Sequence, residues 1–197
     1  MASRTRNLSL TVAVALMAGF TATATAAPAQ AAKADSTATA TASAQAASSY
    51  NFLYFNKNSG NQTKSTLTLY RYIASSDRTV KLDSWRAGSG YTKNTCALNK
   101  GWLPNGTYKI PSWHKKFNGT KIKGYVVRLS NKRCHNGTPR TELFIHSEMT
   151  RLGYQGSTEP WRWDGPSDYK SNGCVKLHPA DIKELFRYGK PTKLIVG

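Results

Sequence analysis

The sequence predicts a mainly β domain, sandwich-like or barrel-like, closed by one C-terminal helix and a final strand. Three observations lead there. Apolar and polar residues alternate over short runs such as 66–72 and 79–85. Asn-Gly pairs punctuate the chain at Asn105, Asn118, Asn136 and Asn172, and both residue types tolerate the positive φ of tight turns. A single stretch, 179–189, carries a helical pattern. Many short strands with one late helix fit a β architecture better than an alternating α/β one.

Taken in order, residues 1–31 have the layout of a secretory signal peptide. Arg4 and Arg6 precede an uncharged, mostly apolar run from Leu8 to Phe20, and A-x-A cleavage candidates follow at residues 24–26 and 29–31. The run is shorter than the roughly 20 apolar residues a membrane span needs, so no stable membrane insertion is expected after cleavage. Residues 32–49 are nearly all Ala, Ser, Thr and Gln, with Lys33 and Asp35 as the only charges. With nothing bulky to bury, they read as a flexible tether or pro-segment. Aromatic residues begin at Tyr50, and residues 50–197 suffice for one domain with its own core.

Within that domain, Leu67 and Leu69, with Arg71 after them, share one face of the first alternating run. Val80 and Leu82 repeat the pattern, and Gly88-Ser89-Gly90 is expected to turn the chain. Residues 103–110 read as a turn feeding a strand; 123–129 and 142–145 are further strands, the second running into His146. Pro179 in the first turn, Ile182, Leu185 and Phe186 at i, i+3 and i+4, and Gly189 as stop define the helix. Residues 193–196 close the chain as a strand.

The chain has 28 basic and 10 acidic side chains. Such a surface attracts polyanions, and for an exported protein an anionic cell-wall polymer is the available partner. A plain solvated face is the simpler alternative. No nucleic-acid module or Arg/Lys-rich helix appears, so nucleic acid is not expected as a partner. The cysteines are Cys96, Cys134 and Cys174. An odd count in an exported chain leaves one thiol over. Pairing Cys96 with Cys134 would spare Cys174; a bridge involving Cys174 is the structural alternative. His114, His135 and His178 lack metal-ligand spacing, so neither a metal nor a cofactor is expected.

The candidate chemistry lies in two runs, Phe144-Ile145-His146-Ser147 and Ser171-Asn172-Gly173-Cys174-Val175-Lys176. A cysteine is an effective nucleophile as thiolate, formed beside an imidazole or under backbone N–H groups. Gly173 permits a sharp turn beside the sulfur. Papain-like enzymes place Cys before His, whereas here His146 comes first. Sortases expect a Thr-Cys motif and a later strand Arg. The S-x-x-K matches at Ser112 and Ser167 lack the other motifs of penicillin-binding enzymes.

With Pro179 and a helix directly behind, the two runs resemble the catalytic domain of the L,D-transpeptidases (YkuD-like), and residues 103–110 resemble that family's Pro-x-Gly-x-Tyr/Phe-x-Ile strand. The resemblance implies that Cys174 accepts the acyl group, that His146 is its base, and that the Ser147 backbone carbonyl orients the His146 ring. Backbone N–H groups around Ser171, Asn172, Gly173 and Cys174 would support the loop and the oxyanion. It further implies an exported enzyme, cell-wall associated, that cross-links peptidoglycan stem peptides. Trimming of those peptides by the same dyad, or a non-catalytic wall-binding module, are the alternatives. Asn172 stands where the family often has His, and Lys176 where Arg or Asn is frequent. The gap from His146 to Cys174 is widened by an insert at 154–168. Those departures bear on substrate choice, for which Lys176 and the insert's Trp161 and Trp163 are candidate binding residues.

Overall fold

The computed structural model describes residues 48–197. The expected signal peptide (1–31) and all but the last two residues of the expected tether (32–49) lie outside the described residues. Among the described residues, eleven strands and one α-helix follow in chain order: β1 (Tyr50–Asn56), β2 (Ser65–Ile73), β3 (Arg78–Ser89), β4 (Gly106–Lys109), β5 (Ser112–Asn118), β6 (Lys123–Arg128), β7 (Lys132–Arg133), β8 (Pro139–Arg140), β9 (Phe144–His146), β10 (Val175–Leu177), α1 (Pro179–Leu185) and β11 (Lys193–Val196). Nine strands form one curled mixed sheet in the order β4-β11-β1-β2-β3-β10-β9-β6-β5, and β7 pairs with β8 as a separate ribbon. The expected mainly β fold with one helix and a closing strand is the one observed.

Alternation decides the buried face. Leu53 and Phe55 of β1, Leu67 and Leu69 of β2, Trp85 and Ala87 of β3, Ile145 of β9, Val175 and Leu177 of β10, and Leu194 and Val196 of β11 form one core. Ile182 and Leu185 of α1 are part of that core, with Phe186 packed against it. Each large aliphatic side chain so buried contributes about 1.5–3 kcal/mol. Two polar ties fix the helix end: Trp85 Nε1 donates to Glu184 at 2.9 Å, and Tyr188 Oη donates to Asp83 at 2.8 Å.

The alternation expected at Val80 and Leu82 breaks. The β2–β3 register shifts between Leu69 and Tyr70, so Leu69 faces Asp83 while Tyr70 faces Lys81. Leu82 falls at this bulge and is exposed, and Val80 is half-buried. Arg71 is exposed as well. The turn expected at 88–90 is also displaced. Gly88 and Ser89 stay in β3, paired with Lys176 and Val175 of β10, and the chain leaves the strand at Gly90, whose φ is 66°. Gly88 is needed for close approach: a Cβ there would lie 2.3 Å from the Tyr169 carbonyl oxygen. The strand expected from residue 142 begins instead at Phe144, because Glu142 has φ 51°. The helix stops at Leu185, short of Gly189.

Candidate active site

β9 and β10 are short, adjacent and parallel, with Ile145 opposite Val175 and His146 opposite Lys176. Ile145 and Val175 enter the core, so His146 and Lys176 point to the opposite face of the sheet. Cys174 directly precedes β10 and packs with Val126 and Phe144, flanked by Phe117 and Ile122. Cys174, His146, Ser171, Asn172 and Lys176 line a common cavity of about 590 Å³. The structure therefore brings most of the residues singled out in the sequence to one place.

The loop that presents Cys174 is braced from within. Ser171 Oγ donates to the Cys174 carbonyl at 2.6 Å and accepts from Gly173 N–H at 3.2 Å and Gly90 N–H at 3.1 Å. The hydroxyl thus closes the turn and ties it to the end of β3. It also occupies the Gly173 amide, one of the donors expected for an oxyanion. Gly173 has φ 113°, and a Cβ there would meet Arg140 Nη2 at 2.0 Å and the Gly101 carbonyl oxygen at 3.0 Å. Both the conformation and the space require glycine.

Arg140 was not among the residues the motifs indicated. It is buried behind Gly173 and donates to the carbonyls of Thr95, Gly101 and Trp102. A disulfide joins Cys96 to Cys134, leaving Cys174 free. The bridge and Arg140 hold the same stretch, residues 95–102, behind the Cys174 loop. No local pattern marks Arg140, because its partners are carbonyls distant in sequence.

The Cys174 and His146 side chains are both buried and held neutral. Cys174 is 6 % exposed, and its thiol donates to the Glu142 carbonyl at 3.6 Å. Burial pushes it up to about 11, against the opposing influence of a Phe144 backbone hydrogen bond and the Lys176 and Arg140 cations. His146 is 5 % exposed. Burial first, and then the Lys176 charge, lower it to about 3, with the Ser147 backbone bond acting in the other direction. Its Nδ1 lies 3.1 Å from the Ser147 carbonyl oxygen. A carbonyl only accepts, so Nδ1 carries the proton and Nε2 has the free lone pair. A neutral imidazole with a bare Nε2 and a neutral thiol lining one cavity suit general-base activation better than a resting ion pair.

Lys176 is buried and forms an ion pair with Glu148, a second residue the motifs did not indicate. Glu148 is two positions past His146, and its role depends on Lys176 arriving from another strand. The tryptophans of the insert do not line the Cys174 cavity. Trp161 is half-buried with Lys123 Nζ 3.9 Å above its ring. Trp163 packs edge-on against Tyr169 and His178, with ring centroids 4.7 and 5.4 Å away. Glu159 and Pro160 are the insert residues that reach the cavity. His178 caps α1, its Nδ1 accepting from Ala180 N–H at 3.3 Å.

Comparison with known proteins places this arrangement. A sequence profile of the YkuD L,D-transpeptidase catalytic domain matches residues 61–196. Among solved structures, Bd1075 of Bdellovibrio bacteriovorus is similar at TM-score 0.50 and 14% identity, over 75% of this chain and 47% of that one. The helical cell shape determining protein Pgp2 of Campylobacter jejuni is similar at TM-score 0.48 and 14% identity, over the same shares. The match thus spans about half the length of those two chains. No curated protein sequence matches this chain.

Proposed function

The chain belongs to the L,D-transpeptidase catalytic-domain family, and we propose that it is an exported cysteine peptidyltransferase acting on peptidoglycan stem peptides. The observation that carries this reading is the pairing of a free Cys174 with a neutral His146 in one cavity, the imidazole fixed through Nδ1.

On this reading a stem peptide places the carbonyl of an L-centre, followed by a D-residue, against Cys174 Sγ. His146 Nε2 takes the thiol proton as sulfur adds to the carbonyl. The tetrahedral oxyanion faces backbone amides of the loop; with Gly173 N–H engaged by Ser171, the Cys174 and Asn172 amides are the remaining donors. Imidazolium returns its proton to the departing amine of the D-residue, and a thioester is left on Cys174. The amine of a second stem then attacks the thioester, its proton passing to His146; the C–S bond breaks, Cys174 leaves and takes that proton back, and a cross-link forms. Lys176 positions the site through Glu148, and Arg140 with the Cys96–Cys134 bridge keeps the loop in place.

Water in place of the amine would make the same dyad an L,D-carboxypeptidase. A non-catalytic wall-binding module predicts an oxidised Cys174, and the free thiol favours the enzymatic reading over it. The large excess of basic side chains supports retention on an anionic wall polymer. Among the described residues no helix is long and apolar enough to cross a membrane. The test is muropeptide analysis with the purified protein and its Cys174→Ala variant, joined to intact-mass analysis after carbapenem exposure. Cross-linked stems and a single adduct on Cys174 are expected. A folded, reduced protein that forms neither product nor adduct overturns the reading.

A further inference from the structure

This strongly basic chain has only 10 acidic side chains, yet Glu142, Glu148 and Glu159 all line the Cys174 cavity. Glu142 turns outward to Arg128, 3.1 Å away. The other two converge with Asp168, their carboxylate oxygens lying within 4.8 Å of one another.

The three carboxylates are not equivalent. Asp168, 7 % exposed, has its oxygens committed to its own loop: Oδ2 accepts from the N–H groups of Asp164 and Gly165, and Oδ1 from Ser167 Oγ. Glu159 stands at the exposed rim, 3.8 Å from Arg162. Glu148, 6 % exposed, gives Oε1 to Lys176, but its Oε2 is buried without a hydrogen-bond partner. Lys176 pairs with Glu148, and Arg162 is shared between Glu159 and the closer Asp164 at 2.7 Å, so carboxylates outnumber cations next to an orphaned buried acceptor. The Glu148 carboxyl is raised by burial and by Glu159 and Asp168, against the pull of Lys176.

A buried carboxyl oxygen without a donor is costly, and among carboxylates in excess of cations an N–H donor that is itself cationic satisfies both the acceptor and the charge. A divalent metal suits the site poorly: it would sit beside the Lys176 ammonium and find Asp168 already occupied. We propose that Glu148 Oε2, with Glu159 at the rim, is the subsite for a primary ammonium of the substrate. This rests on the peptidyltransferase reading above. Two sources supply that chemistry: the side-chain ammonium of a diamino acid in the donor stem, and the ammonium of the acceptor, which passes one proton to the Glu148 carboxylate before its amine attacks the thioester.

The test uses the full purified chain, with thioester formation and turnover followed by intact mass. The first arm compares a donor stem with a free side-chain amine to the same stem N-acetylated there. The second compares a cationic amine acceptor with hydroxylamine, which is neutral at the same pH. If the donor supplies the ammonium, acetylation slows thioester formation about tenfold or more, and Glu148→Gln erases that difference. If the acceptor supplies it, donor acetylation is silent and Glu148→Gln removes about tenfold of the preference for the cationic acceptor. Glu159→Gln shifts the same ratio in the same direction by less. Should Glu148→Gln fail to fold, Glu159→Gln and the acetylated donor decide. Thioester formation with neither ratio moving more than about twofold in any arm overturns the subsite and leaves the peptidyltransferase reading intact. Absence of thioester from both donors overturns the two together.

Discussion

The two faces of β9 and β10 make an instructive contrast, because all six of their residues are buried. On one face Ile145, Val175 and Leu177 belong to the apolar core, and burial stabilises the fold directly. On the other, His146 and Lys176, with Cys174 beside them, are removed from water at a cost that has to be compensated. Lys176 needs Glu148, His146 is held neutral, and the Cys174 thiol is held protonated. The same two strands thus spend the stability gained on one face to hold strained ionisation states on the other. A rigid apolar side is what lets the polar side keep its geometry.

Removing the proposed nucleophile separates the faces most sharply. Cys174→Ala should lower thioester formation and cross-linking by about 10⁴-fold or more while leaving the melting temperature nearly unchanged. Retained activity in that variant would mean the polar face has another nucleophile. His146→Ala should cost about 10²–10⁴-fold in turnover. In the intact protein the acid limb of kcat/KM should lie well below the ordinary histidine range, since the imidazole remains a base down to about 3. An acid limb near 6.5 would contradict a buried, neutral His146.

Charge removal on one face can be set against volume removal on the other. Lys176→Met leaves Glu148 buried and unpaired, and should destabilise by about 3–5 kcal/mol. Leu177→Ala should cost about 2–5 kcal/mol through its cavity. Denaturant melts separate the two cases: replacing Glu148 by Leu as well should recover most of the first loss and none of the second.

The last comparison is the pH dependence of stability. The unfolded chain protonates His146 near 6.5 and the folded chain only near 3. Its contribution is therefore complete above 6.5 and lost as pH falls through that interval, at up to ~1.4 kcal/mol per pH unit. Glu148 and Asp181, raised by burial, act with the opposite sign over the acid range. Cys174, raised from 9.0 to about 11, loses its contribution as pH rises between those values. A His146→Asn protein should show a flatter acid limb in thermal melts; an unchanged limb would mean His146 is charged in the folded state.

Much of the fold was legible because it depends on local periodicity. Leu67 and Leu69, and Ile182 and Leu185, sit on the faces their spacing indicates. The pattern failed where a neighbour imposed a register: Leu82 at the bulge opposite β2, and Gly88 held in its strand by β10 and the Tyr169 backbone. Strands β1 and β5 carried no clear signal in the sequence, since residues 52–55 of β1 are an unbroken run of aromatic and aliphatic side chains and β5 is mostly polar.

For the site, the sequence by itself singled out His146 and Cys174 and the loop around them, which line one cavity. A histidine ending an apolar run and a cysteine after Ser-Asn-Gly are short-range features, and Gly173 and Ser171 act on the loop that contains them. The tertiary structure alone decided which cysteines bridge, that Arg140 stands behind Gly173, and that Glu148 meets Lys176 while Trp161 and Trp163 turn elsewhere. These depend on contacts between distant segments, and a buried charge finds its partner only through packing that no local pattern encodes.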